Sequence, residues 1–107
     1  MITLVAPKVT ALQAQATANL FLNDNLPDRF TCDQPRLSKA EDVWLVPVVL
    51  CYPFVGSIGQ VGEVVVSVEE EKIISHTPLD EMKQKAIKLY EANRNEIEAA
   101  FSSTRNS

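Results

Sequence analysis

At 107 residues, 46% hydrophobic and 22% charged, the chain suits one folded domain, since two independent cores would each be very small. A formal charge of −4 and a pI near 4.9 set the whole-molecule field against nucleic acid and anionic lipid, and no Lys/Arg cluster in the sequence offsets it. Three glycines and six prolines exclude the low-complexity classes.

The apolar opening Ile2 to Ala6 is broken by Thr3, followed by Pro7, and too short for a signal-peptide core. Pro7 to about Asn23 reads as a helix. Val9, Leu12, Ala16 and Leu20 recur at spacings of three and four, which makes them the expected buried stripe; Gln13, Gln15, Thr17 and Asn19 lie mostly off it. Asn23-Asp24-Asn25 and Pro27 stop the helix. Its alanines leave a thin apolar face, suited to close packing on a sheet or a partner helix. Arg29 to Gln34 alternates, with Phe30 and Cys32 opposed to Arg29, Thr31 and Asp33, and reads as a short edge strand ended by Pro35. Leu37 to Asp42 is polar and reads as a loop.

Val43 to Tyr52 gives the clearest strand. Trp44, Val46, Val48, Leu50 and Tyr52 fall on one face, and Val43, Leu45, Pro47, Val49 and Cys51 on the other. Both rows are apolar, the pattern of a strand covered on two sides. Pro47 has no N–H to donate, so one side of the strand must be open or bulged there. Gly56 to Gly62 reads as a loop, and Gln60 to Val68 as the next strand. Glu69-Glu70-Glu71 makes a solvated turn, and Lys72 to Ser75 returns as a short strand. Thr77-Pro78-Leu79-Asp80 predicts a helix start with Thr77 as N-cap. Leu79, Met82, Ala86, Leu89, Asn93, Ile97 and Phe101 then predict one long helix, followed by a mobile tail over 102–107. The fold class is α+β, one domain over residues 1–101. The expected architecture is an N-terminal helix, three or four antiparallel strands and a long C-terminal helix, with the helices on one sheet face.

Candidate chemical motifs reduce to structural roles. Glycines 56, 59 and 62 precede a strand rather than a helix, so a hairpin fits them better than a phosphate loop. Three successive glutamates point in different directions and lack a surrounding calcium loop. Cys32, Cys51 and His76 have no metal-ligand or nucleophile–base spacing, and Cys51 with His76 is the only conceivable catalytic pair. The cysteines read as buried free thiols in a reducing cytoplasm. The longest apolar run, Val43 to Val55, is about half a membrane span and contains two prolines. No catalytic motif, cofactor or metal is therefore expected, and neither nucleic acid nor membrane as a partner.

The stretch Val43-Trp44-Leu45-Val46-Pro47-Val48, with Val61 to Val68 and the turn into Lys72-Ile73-Ile74, resembles the strand–hairpin unit of PepSY-type domains. Those domains set a tryptophan strand beside one ending in an Asp-Ala-x-Thr-Gly-Glu kind of turn; here Ser67-Val68-Glu69-Glu70-Glu71-Lys72 takes its place. The resemblance covers about a quarter of the chain and implies a binding or inhibitory role outside the cytoplasm, against the localisation read from the cysteines. The remainder is similar to small bacterial proteins, some expected beside nuclease-toxin genes.

The second sheet face carries the functional expectation. Fully exposing Val43, Leu45, Val49 and Cys51 would forgo roughly 6 kcal/mol, at about 1.5 kcal/mol each, and a homodimer sharing that face would recover it. A self-associating protein-interaction module is therefore expected. One alternative is a small apolar-ligand-binding domain with Trp44 and Tyr52 lining the pocket. Another is an acidic, antitoxin-like partner of a basic nuclease.

Overall fold

The computed structural model describes residues 7–27 and 29–105, with side chains through Ala100. Its elements are α1 (Ala11–Asn25), β1 (Phe30–Cys32), β2 (Arg36–Ser38), β3 (Val43–Tyr52), β4 (Gly56–Ser67), β5 (Ile73–His76), α2 (Leu79–Ala92) and α3 (Arg94–Arg105). The class is α+β with an antiparallel sheet. β1 and β2 lie end to end along one side of β3, β4 covers the other side, and β5 forms the far edge. The stretch read as a loop from Leu37 to Asp42 thus begins with strand β2, and its turn closes with Asp42 at φ 58°.

Pro47 shows why one edge is split in two. β2 pairs with Val43 to Leu45 and β1 with Val48 to Leu50, so Pro47 falls in the gap between them. Its carbonyl accepts from Asp33 N at 2.9 Å on that side. The nitrogen of the same residue points the same way in a strand, so the missing N–H faces a place where no ladder bond is due.

The glycine-rich segment is a strand, not the expected loop. Only Pro53 to Val55 turn the chain between β3 and β4, and the register then slips twice, leaving Val61 and Ile58 as extra residues on β4. Each bulge inserts one residue between alternating positions, so a spacing of three stands where two is normal. Gly62, Gly59 and Gly56 consequently lie opposite Val48, Leu50 and Tyr52. A Cβ on Gly62 would stand 2.8 Å from Met82 Cγ, and one on Gly59 2.9 Å from Leu89 Cδ1. The glycines let α2 lie directly on the strand.

One core cluster joins Ala14, Ala18 and Leu22 of α1, Val46, Val48 and Leu50 of β3, Val61, Val64 and Val66 of β4, and Met82 and Ala86 of α2. The buried stripe of α1 is therefore Ala14, Ala18 and Leu22, and the expected stripe faces outward: Leu12 is 75% exposed and Leu20 66%. Of that expectation only Val9, ahead of the helix, is buried. Apolar residues run almost all round α1, so a spacing of four fits two stripes equally well. Polar neighbours decide between them. Gln15 Nε2 donates to the carbonyls of Cys32 and Asp33, and Asn19 Oδ1 accepts from Cys32 N. These side chains satisfy the backbone of β1, which otherwise presents an open edge. The alanines beside them bring the helix close to the sheet.

Two expectations about the C-terminal helix change. Thr77 does not cap it: the hydroxyl accepts from Glu63 N at 3.0 Å, extending the sheet, and Pro78 occupies the N-cap without a side-chain bond. The single long helix is two, meeting at Asn93, whose side-chain amide and backbone N–H both donate to Leu89 O. Capping Leu89 this way diverts the carbonyl that a continuous helix would give to residue 93 alone. Met82, Ala86 and Ile97 are buried as the spacing predicts; the side chain of Phe101 lies outside the described residues, and α3 continues to Arg105, into the stretch read as tail.

Candidate functional site

Leu50 and Tyr52 lie toward the C-terminal end of β3. There the segment leaving α1 (Pro27 and Arg29), the strand residues Phe30, Leu50 and Tyr52, and one face of α2 border an open, groove-like pocket of about 520 Å³. Lys83, Ala86, Ile87 and Tyr90 recur at three and four along α2, so a single helix face forms that wall. The volume lies within the range of small-molecule sites, roughly 300–1,000 Å³. Ile87 is 57% exposed because it stands at the mouth. Tyr52 and Tyr90 approach with ring centroids 5.9 Å apart and planes tilted by 43°, and the Arg29 guanidinium lies 5.2 Å above the Tyr52 ring. Aromatic surface and cationic rim are thus held together by packing of β3, α2 and the segment before β1.

The predicted pocket pair separates. Tyr52 lines the pocket, whereas Trp44 stands eight residues back along β3, outside its lining. Trp44 packs against the core, and its Nε1 donates to Val9 O at 2.8 Å; Val9 N donates in turn to Val68 O. The indole therefore pins the segment before α1 to the sheet, a structural role.

The predicted interface row is also changed. Val43 and Val49 are each 7% exposed within a single chain, outside the main cluster, while Leu45 and Cys51 are half-buried. β3 has a neighbour on both sides, so each side chain is flanked across the sheet: Val49 by Thr31 and Gln60, Val43 by Ser38 and Ser67. About half of the roughly 6 kcal/mol attributed to a second copy is accordingly gained within one chain. A shared sheet face is not needed to bury those two valines.

The thiols and the histidine do not converge. Cys32 pairs with Val48 on the core face, and Cys51 lies three residues further along β3, roughly 10 Å away and on the opposite face. Both are free, as that separation requires. Burial pushes the Cys32 thiol up to about 12, which keeps it protonated and unreactive. His76 pairs with Val64, opposite Val46, which puts Cys51 roughly 17 Å along the sheet and two strands across from it. His76 Nδ1 lies 2.8 Å from Thr77 O, and its ring packs on Phe21 with centroids 4.5 Å apart and planes tilted by 42°. The conceivable Cys51–His76 pair is not assembled, and the described residues hold no cluster of three metal-ligating side chains. No described helix is long and apolar enough to cross a membrane.

Sequence reasoning missed Phe30, Arg29, Lys83, Ala86, Ile87 and Tyr90 as one lining. The available signal was Ile87 and Tyr90 beside the predicted stripe of α2, which widens its apolar face beyond what one sheet contact uses. Comparison with known proteins gives no match to any family model, any curated protein or any solved structure.

Proposed function

We propose that the protein binds a small apolar molecule in the pocket between α2 and the end of β3. The observation that carries this reading is the pocket of about 520 Å³ walled by Phe30, Leu50, Ala86, Ile87 and two tyrosines. Such a surface left to water forgoes transfer free energy that an apolar guest recovers. A titration with the neutral fluorophore N-phenyl-1-naphthylamine tests it. Ile87→Gln at the exposed mouth leaves folding stability within about 0.5 kcal/mol and weakens binding about three- to tenfold. Absence of binding, or binding indifferent to that substitution, rejects the reading.

A second reading rests on a different observation. Leu12, Ala16 and Leu20 form an exposed stripe along two turns of α1, with the leucines 75% and 66% exposed. Self-association through this stripe, rather than through the sheet face, keeps the protein-interaction role. Sedimentation at micromolar concentration separates the possibilities: a dimer lost in Leu12→Gln/Leu20→Gln supports it, and a monomer throughout removes it.

A further inference from the structure

Resting on the pocket reading above, we infer that the ligand is an amphipathic monoanion: an apolar body with a carboxylate or sulfonate head held by Arg29 and Lys83. The pocket lining contains two charged residues, and both are cationic, in a chain with 14 acidic and 10 basic residues. Arg29 precedes β1 and Lys83 lies on α2, so the two reach the pocket from different parts of the fold. Among the described residues neither takes part in a salt bridge; the one such pair is Arg94 with Glu98. Nor does either side chain donate a hydrogen bond to another described residue. The Arg29 guanidinium lies 5.2 Å from the Tyr52 ring centre, a cation–π contact that uses none of its N–H donors as hydrogen bonds and leaves them for an acceptor at the rim.

The apolar walls decide against other charged ligands. An inorganic anion would meet the two rim cations while leaving Phe30, Leu50 and Ile87 without a contact. A neutral hydrocarbon would fill the walls and leave both cations hydrated as they are. An anion with an apolar body uses both, and its head can remain partly in water, which avoids the cost of burying a charge.

The test compares two probes sharing one apolar skeleton: anionic 8-anilino-1-naphthalenesulfonate and neutral N-phenyl-1-naphthylamine. Each is titrated calorimetrically into the full chain and into Arg29→Gln/Lys83→Gln, whose exposed positions leave the fold intact. The expected result is about five- to tenfold tighter binding of the anionic probe to the unsubstituted chain, erased in the double variant and weakened by added salt. Both side chains also line the pocket, so the readout is the ratio of the two affinities, which falls to about one in the double variant. Equal affinity for both probes, or an anion preference that survives the double substitution, overturns the inference and leaves the apolar pocket standing. Failure of both probes to bind overturns the pocket reading and this inference with it.

Discussion

Replacing Gly62 by alanine probes the contact that fixes the pocket wall, because α2 rests on this residue. The added Cβ would stand 2.8 Å from Met82 Cγ, 3.0 Å from Thr77 Cβ and 3.1 Å from Thr77 Oγ1. Met82 is fully buried, and the Thr77 hydroxyl is held by Glu63 N, so neither neighbour moves freely. Overpacking of this kind costs about 1–3 kcal/mol. The reduced entropy of the unfolded chain returns about 0.4–1 kcal/mol, for a net loss of about 1–2 kcal/mol. For a domain of this size the midpoint should fall by about 4–8 °C in thermal unfolding followed by circular dichroism. A double-mutant cycle identifies the cause: Gly62→Ala with Met82→Ala should cost less than the sum of the single changes by about 0.5–1 kcal/mol. Gly56→Ala is the comparison, since nothing lies within 4 Å of its Cβ and only its φ of +91° is penalised; it should show no coupling to Met82. A Gly62→Ala protein as stable as the parent, or additive with Met82→Ala, would refute the placement of α2 on the glycine strand.

Three further outcomes follow from named contacts. Trp44→Phe removes the bond to Val9 O while keeping an aromatic ring, and should cost about 1–2 kcal/mol with faster amide exchange at Val9. Because burial raises Cys32 from 9.0 to about 12, the folded state holds that proton while the unfolded state releases it. Stability from this site is complete below pH 9 and declines between 9 and 12, so Cys32→Ala should flatten that limb of a denaturation-versus-pH profile relative to the parent. Asn93→Ala removes the side-chain cap on Leu89 O, and should raise helix content and join α2 to α3, read from backbone chemical shifts at residues 92–95.

The alternation from Val43 to Tyr52 and the three- and four-residue spacing from Leu79 to Ile97 were legible because each has one strong period. α1 was legible as a helix but not in its orientation: Leu12-Ala16-Leu20 and Ala14-Ala18-Leu22 share the same spacing, and the choice rests on Gln15 and Asn19 bonding to a strand that only tertiary structure brings near. Gly56, Gly59 and Gly62 carried a bulged-strand signal in their spacing of three, hidden because glycine also marks turns. Half of the sheet-face row, Leu45 and Cys51, stays partly exposed; for the other half, the cover that flanking strands give a central strand was not visible in the sequence. Val43 and Val49 are buried by their own neighbours. The pocket stayed hidden because its lining comes from residues 27 to 90, and no local pattern links Arg29 to Lys83.

The most direct measurement is a two-dimensional NMR titration of the labelled chain with N-phenyl-1-naphthylamine. Binding in the pocket predicts saturable shifts confined to Phe30, Tyr52, Ala86, Ile87 and Tyr90, with the Trp44 indole and the Leu12 and Leu20 methyls unmoved. Shifts centred on Leu12 and Leu20, or none at all, would contradict it.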